Sequence, residues 1–237
     1  MITRKENTVI KIIDKRTQLI LSTVSMFVIC SGGGAQTLFY SGDDSNSGNI
    51  NQVGGPANEQ TFTEFKVTNP TGWNIAKVYS NDFQYTTPLT GAATAGWSIR
   101  TGMSVGNGGT TLYSGTNTSA VSPTGRTSSG LAEYTVGVDI SSLGIILAPG
   151  TYWLQVSPVG GNMWINSTTL GTNGVNAAND HNGLSFSGGN YIARNTDFSM
   201  GITGTAVTPE GSSIVLFALG GLPLAVGFRR KLRHKKA

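Results

Sequence analysis

Apolar and polar residues alternate with period two along short stretches between residues 36 and 207. Over 132–140, Tyr134, Val136, Val138 and Ile140 share one face, and Glu133, Thr135, Gly137 and Asp139 the other. Over 97–105, Trp97, Ile99, Met103 and Val105 fall on one side; over 197–204, Phe198, Met200 and Ile202 do so. The same alternation recurs over 61–68, 74–80 and 151–157. Period two is the mark of a half-buried strand. No stretch of this region offers a helical period over three turns.

Turn residues separate these runs. Ala148-Pro149-Gly150 fits a type II turn with Gly150 at positive φ. Val159-Gly160-Gly161-Asn162 and Gly106-Asn107-Gly108-Gly109 read as hairpin connections. Polar stretches at 41–60, 114–130 and 168–182 read as long loops. Many short strands with glycine-rich turns predict an all-β fold: an antiparallel two-sheet β-sandwich, jelly-roll-like.

The two ends follow other patterns. A basic stretch ending near Arg16 precedes an apolar run from Leu19 to Cys30 and then small residues up to Ala35. This is the layout of an export signal, with cleavage expected between Ala35 and Gln36. At the other end, a polar motif around Pro209, Glu210 and Gly211 precedes an apolar run from Ile214 to Phe228 and a basic tail. Fifteen apolar residues make a helix of about 22 Å, short of a bilayer core of about 30 Å. The expectation is a single transmembrane helix that anchors weakly or temporarily, with the basic tail on the cytoplasmic side. The chain thus divides into a signal segment at 1–35, an exported domain at 36–207 and a C-terminal sorting segment at 208–237.

Charge sharpens this division. The whole chain carries 16 basic and 12 acidic residues. Five basic and nine acidic residues lie between 36 and 207, so the central domain is close to −4. It holds no basic cluster, so nothing points to nucleic acid. Cys30 is the only cysteine, so the expected mature domain has no disulfide and depends on its core.

Candidate chemistry is thin. His181 is the one histidine of the central domain and has no nucleophile elbow beside it. The nine carboxylates show no spacing that suggests an acid–base pair. No catalytic residue is expected, and no cofactor beyond calcium, for which Asp43, Asp44 and Asn46 offer an oxygen-rich loop lacking a closing glutamate. Trp97 falls on an apolar face and is expected in the core. Trp73, Trp153 and Trp164 fall in a turn or opposite apolar neighbours, and are candidates for exposed rings that stack on a sugar.

The order Pro209-Glu210, apolar segment, arginine-rich end resembles the PEP-CTERM sorting signal of exported bacterial proteins, with Gly211 where that motif has a second proline. The resemblance implies processing near Pro209-Glu210 by a membrane-embedded exosortase. Gly96-Trp97-Ser98-Ile99-Arg100, Leu147-Ala148-Pro149-Gly150-Thr151-Tyr152-Trp153-Leu154 and Asp197-Phe198-Ser199-Met200 resemble motifs of the β-sandwich domains such proteins carry. The resemblance implies a cell-envelope or extracellular location among extracellular polysaccharide. The expected function is that of a non-enzymatic surface or matrix protein, with a carbohydrate-binding module and a self-associating structural protein as alternatives.

Overall fold

The computed structural model describes residues 34–51, 58–84, 91–160 and 163–208. Ala35 and Gln36 are included. The rest of the expected export signal, the motif Pro209, Glu210 and Gly211, and the C-terminal apolar run lie outside the described residues.

The described residues form fourteen strands: β1 (Gln36–Tyr40), β2 (Asp44–Ile50), β3 (Gln60–Val67), β4 (Trp73–Gln84), β5 (Gly91–Thr101), β6 (Thr110–Ser128), β7 (Leu131–Asp139), β8 (Ile146–Leu147), β9 (Gly150–Val159), β10 (Trp164–Thr169), β11 (Leu184–Ser187), β12 (Asn190–Ala193), β13 (Asp197–Phe198) and β14 (Met200–Ala206). The one helical element among the described residues is the 3₁₀ turn Ser141–Leu143. The fold is all-β and antiparallel, and the strands run in the order β1-β14-β4-β7-β6-β5-β9-β3-β11-β12 in one curled sheet.

The curl is set by β6. It pairs with β5 from Thr110 to Val121 and with β7 from Ala120 to Ser128. The strand therefore changes neighbours near Ala120 and carries the sheet round a corner. Residues from β3, β5 and β9 then meet residues from β4, β7 and β14 in one apolar core that includes Phe65, Ile99, Leu154, Val78, Val138 and Ile202. Phe65 sits at its centre, stacked on Trp73 at 6.3 Å and on Tyr152 at 5.6 Å. Each such ring pair contributes about 0.5–1.5 kcal/mol beyond area burial.

On β7 the expected apolar face is inward, with Val136 and Val138 buried, but Glu133 of the expected polar face is buried as well. In β4 the register slips at Ala76, because Lys77 pairs with Thr203 but Ile75 with Gly204. This bulge lets both Ile75 and Val78 face the core.

Four expectations need correction. The stretch 114–130 is not a loop; most of it belongs to β6. Its residues read as loop because most of the strand is solvent-exposed and needs no apolar row. Within 41–60, the polar stretch DSNSGNI is strand β2, paired with β10. Gly150 does not take positive φ but begins β9, so Ala148-Pro149-Gly150 is not a type II turn. The chain after β9 does not fold back as a hairpin either, since β10 pairs with β4, β2 and β13; Gly161 and Asn162 lie outside the described residues.

The connection from β5 to β6 is a hairpin. Ser104 and Asn107 exchange backbone hydrogen bonds of 3.0 and 2.9 Å. Gly109 takes φ +60°, and a Cβ there would lie 2.2 Å from the Thr101 carbonyl oxygen. Only glycine fits that position without moving backbone.

Two edges of the sheet are capped. At β1, Tyr40 exchanges backbone hydrogen bonds with Val175, and the Asn176 amide donates to the Leu38 carbonyl at 2.8 Å. At β12, the Gly106 N–H donates to the Tyr191 carbonyl at 2.9 Å.

Candidate functional site

The strongest concentration of polar chemistry lies where β6 and β7 run beside the start of the domain. Arg126, near the end of β6, donates from Nε to Glu133 at 2.5 Å and from Nη1 to Asp43 at 2.7 Å. Glu133, on β7, is fully buried. Its carboxylate also accepts from Thr124 Oγ1 at 2.7 Å and from Ser167 Oγ at 2.5 Å. A buried carboxylate needs such compensation, because losing water costs it several kcal/mol.

Asp43 is equally occupied. It accepts from the Tyr40 hydroxyl at 2.6 Å, from Arg126, and from the Asn173 amide at 2.8 Å. Burial works to raise its pKa, but these three donors outweigh it and hold the carboxyl below the usual range. Burial, then the bond to Asp43, raises the Tyr40 pKa. Burial pushes neighbouring Tyr79 up to about 12. The Tyr40 and Tyr79 rings lie 6.1 Å apart. Tyr79 lies over Gly201, where a Cβ would come within 2.2 Å of the ring.

This cluster ties the turn between β1 and β2 to β6, β7 and β10. The guanidinium fills the space between the two carboxylates, so Asp43 and Glu133 do not face each other across a cleft as paired acid–base residues would.

A second polar centre lies inside the curl. The carboxyl of Asp82 is fully buried and accepts from Ser80 Oγ at 2.5 Å and Asn51 Nδ2 at 2.9 Å. Asn51 in turn donates to the Val156 carbonyl and accepts from Ser157. Burial pushes the Asp82 pKa up to about 7, and Glu133 adds to the rise against the pull of Ser80 and Asn51. Burial that disfavours the ionised carboxyl suits a site where, among the described residues, no cation touches Asp82.

The third centre is the corner of Glu64, Asp180, His181 and Asp197. His181 takes φ +54°, and its Nδ1 lies 3.9 Å from Asp197. Burial, then Asp180, raises the pKa of Glu64. An open cavity of ≈ 530 Å³ lies on the outer face of β4 and β7 against β6, bordered by Lys77, Thr118, Gly137 and Asp139.

The tryptophans expected at the surface are inside. Trp73, Trp153 and Trp164 are 3%, 5% and 1% exposed, so none offers a face for stacking on a sugar. Trp73 is sandwiched against Phe65. Trp153 points away from the main core, but Phe62, Met103 and Leu184 cover that face as a second cluster. In β10 the inward residue is Trp164, whose neighbour Met163 is exposed. The expectation took Met163 and Ile165 as the inward pair, which reverses the parity. Trp97 is buried, and its indole N–H donates to Asn117 at 2.8 Å.

The residues expected as a calcium loop, Asp43, Asp44 and Asn46, are engaged in other contacts. Asp43 is held by Arg126, and Asp44 is the first residue of β2, with its carboxylate accepting from the Asn46 N–H at 2.9 Å. Among the described residues, no three His, Cys, Asp or Glu side chains group to hold a metal ion. Sequence reasoning missed Arg126 because it sat in a presumed loop. Its partners are 7 and 83 residues away. The one available signal was that Arg126 is the only charged residue between Arg100 and Glu133. No protein-family model and no curated protein matches this chain.

Proposed function

We propose that the domain is a non-enzymatic, exported surface or matrix module of jelly-roll-like two-sheet type, delivered by the N-terminal signal and sorted through the PEP-CTERM-like C-terminal segment. The reading rests on how the folded unit is bounded. Its first strand begins at Gln36, directly after the expected cleavage residue Ala35, and its last strand ends at Ala206, just before the sorting motif. Gln36 stands opposite Gly204 in the β1–β14 pair. Cleavage at both expected points would leave intact every strand of the described residues.

The carbohydrate-binding alternative loses its intended contacts, because Trp73, Trp153 and Trp164 are buried. Mass spectrometry of the protein from its native envelope tests the main reading. The expected result is an N-terminus at Gln36 and a C-terminus near Glu210. A chain that keeps both end segments would overturn it. So would unchanged fractionation after deletion of residues 212–237.

A further inference from the structure

Among the described residues, the sheet has one long edge that no strand pairs with. The first half of β6, residues 110–118, pairs with β5 on one side. β7 joins β6 only from Ala120 onward. Among the described residues, no backbone lies along the other side of 110–118. All of these residues are exposed except Gly115, which is half-buried. Leu112 and Tyr113 are 43% and 38% exposed.

Proteins usually block such an edge with charge, proline, a bulge or a covering segment. Here β1 is covered by the Val175–Asn176 segment and β12 by the Gly106 turn. The 110–118 edge has no cover among the described residues, and its sequence TTLYSGTNT holds no charged residue and no proline. Its one interruption is a bulge at Leu112, where Ile99 pairs with Tyr113 but Arg100 with Thr111. That leaves Tyr113 to Thr118 as a regular six-residue edge, the length of an ordinary strand.

We infer that this edge is an interface between two copies of the chain, which pair antiparallel through 113–118 and continue the sheet from one molecule into the next. An antiparallel pair of identical edges is self-complementary about a two-fold axis. With no charge in the segment, two copies meet without like-charge repulsion. The small residues Ser114, Gly115 and Thr116 let the backbones approach to strand spacing. The inference stands apart from the sorting reading, since it concerns only the folded unit.

Charge reversal at one exposed position tests it. Thr116 lies on the edge, opposite Gly96 of β5, and its side chain is exposed. Full-length protein is studied by sedimentation velocity in density-matched detergent, with near-ultraviolet circular dichroism as the check on folding. The wild type is expected to self-associate. Thr116→Lys and Thr116→Glu are each expected to weaken self-association at least about tenfold while remaining folded. An equimolar mixture of the two variants is expected to restore the dimer through opposite charges. A wild type that stays monomeric at high concentration would overturn the inference. Association that survives in both variants would do the same, since it would lie elsewhere, for example in the terminal segments. Failure of the mixture to recover the dimer would also count against it.

Discussion

The inward row of β4 contains two different interiors. Ile75 and Val78 join the apolar core, whereas Ser80, Asp82 and Gln84, further along the same strand, are equally buried and polar. The apolar half is stabilised by area removed from water, which is non-directional and forgiving of small shifts. The polar half is stable only while each group keeps its hydrogen-bond partner, because an unmet buried donor or acceptor costs about 1–3 kcal/mol. One strand thus carries both a tolerant and an exacting interior, and the second depends on distant residues such as Asn51 and Ser157.

The comparison breaks most severely in the apolar core, which reaches Trp164 of β10 opposite Gln84. Trp164→Ala removes the largest fully buried side chain and is expected to destabilise the domain by about 3–5 kcal/mol, read from denaturant unfolding. A loss below about 1 kcal/mol would show that this part of the core is not closed.

The polar end is sharpened by pH. The Asp82 pKa stands at about 7 in the folded state against 3.8 for an unperturbed carboxyl. Below about pH 4 both states hold the proton, and the site contributes its full stability. Between about 4 and 7 the unfolded chain ionises first, so stability falls as pH rises, by up to about 4 kcal/mol. Asp82→Asn imitates the protonated group. The difference in Tm between variant and wild type should therefore grow in the variant's favour across that window; a flat difference would show that Asp82 does not titrate there.

Arg126→Ala tests the outer polar cluster, and the expected loss is smaller, about 2 kcal/mol, because Arg126 is 35% exposed and water can partly replace it at Glu133. Adding Glu133→Gln should recover part of that loss in chemical denaturation. A double variant less stable than Arg126→Ala alone would argue that Glu133 is held by Ser167 and Thr124 rather than by charge.

Much of this architecture could be read from alternation. Strands β3, β7 and β9 each bury one row of side chains in the main core, and their sequences carry the period of that row, although β9 buries its other face as well. β6 and β2 could not be read this way: β6 is largely solvent-exposed, and polar β2 packs through hydrogen bonds. The three tryptophans failed for another reason. Periodicity tells which residues share a face, but not whether a distant segment covers the opposite one, as Phe62 and Leu184 do for Trp153. The Arg126–Asp43–Glu133 cluster joins β6 and β7 to the turn after β1, and no local spacing encodes that meeting.

The pairing of β1 with β14 has a mechanical meaning. The two strands run antiparallel, so Gln36 opposes Gly204 at the end of the seam where the chain enters β1 and departs β14. Tension applied between those segments would load the hydrogen bonds one after another, from Gln36 inward, as a zipper opens, instead of shearing them together. A chain tethered through one end only leaves this seam unloaded. Removing either terminal segment would therefore protect the domain from being peeled open by pulling.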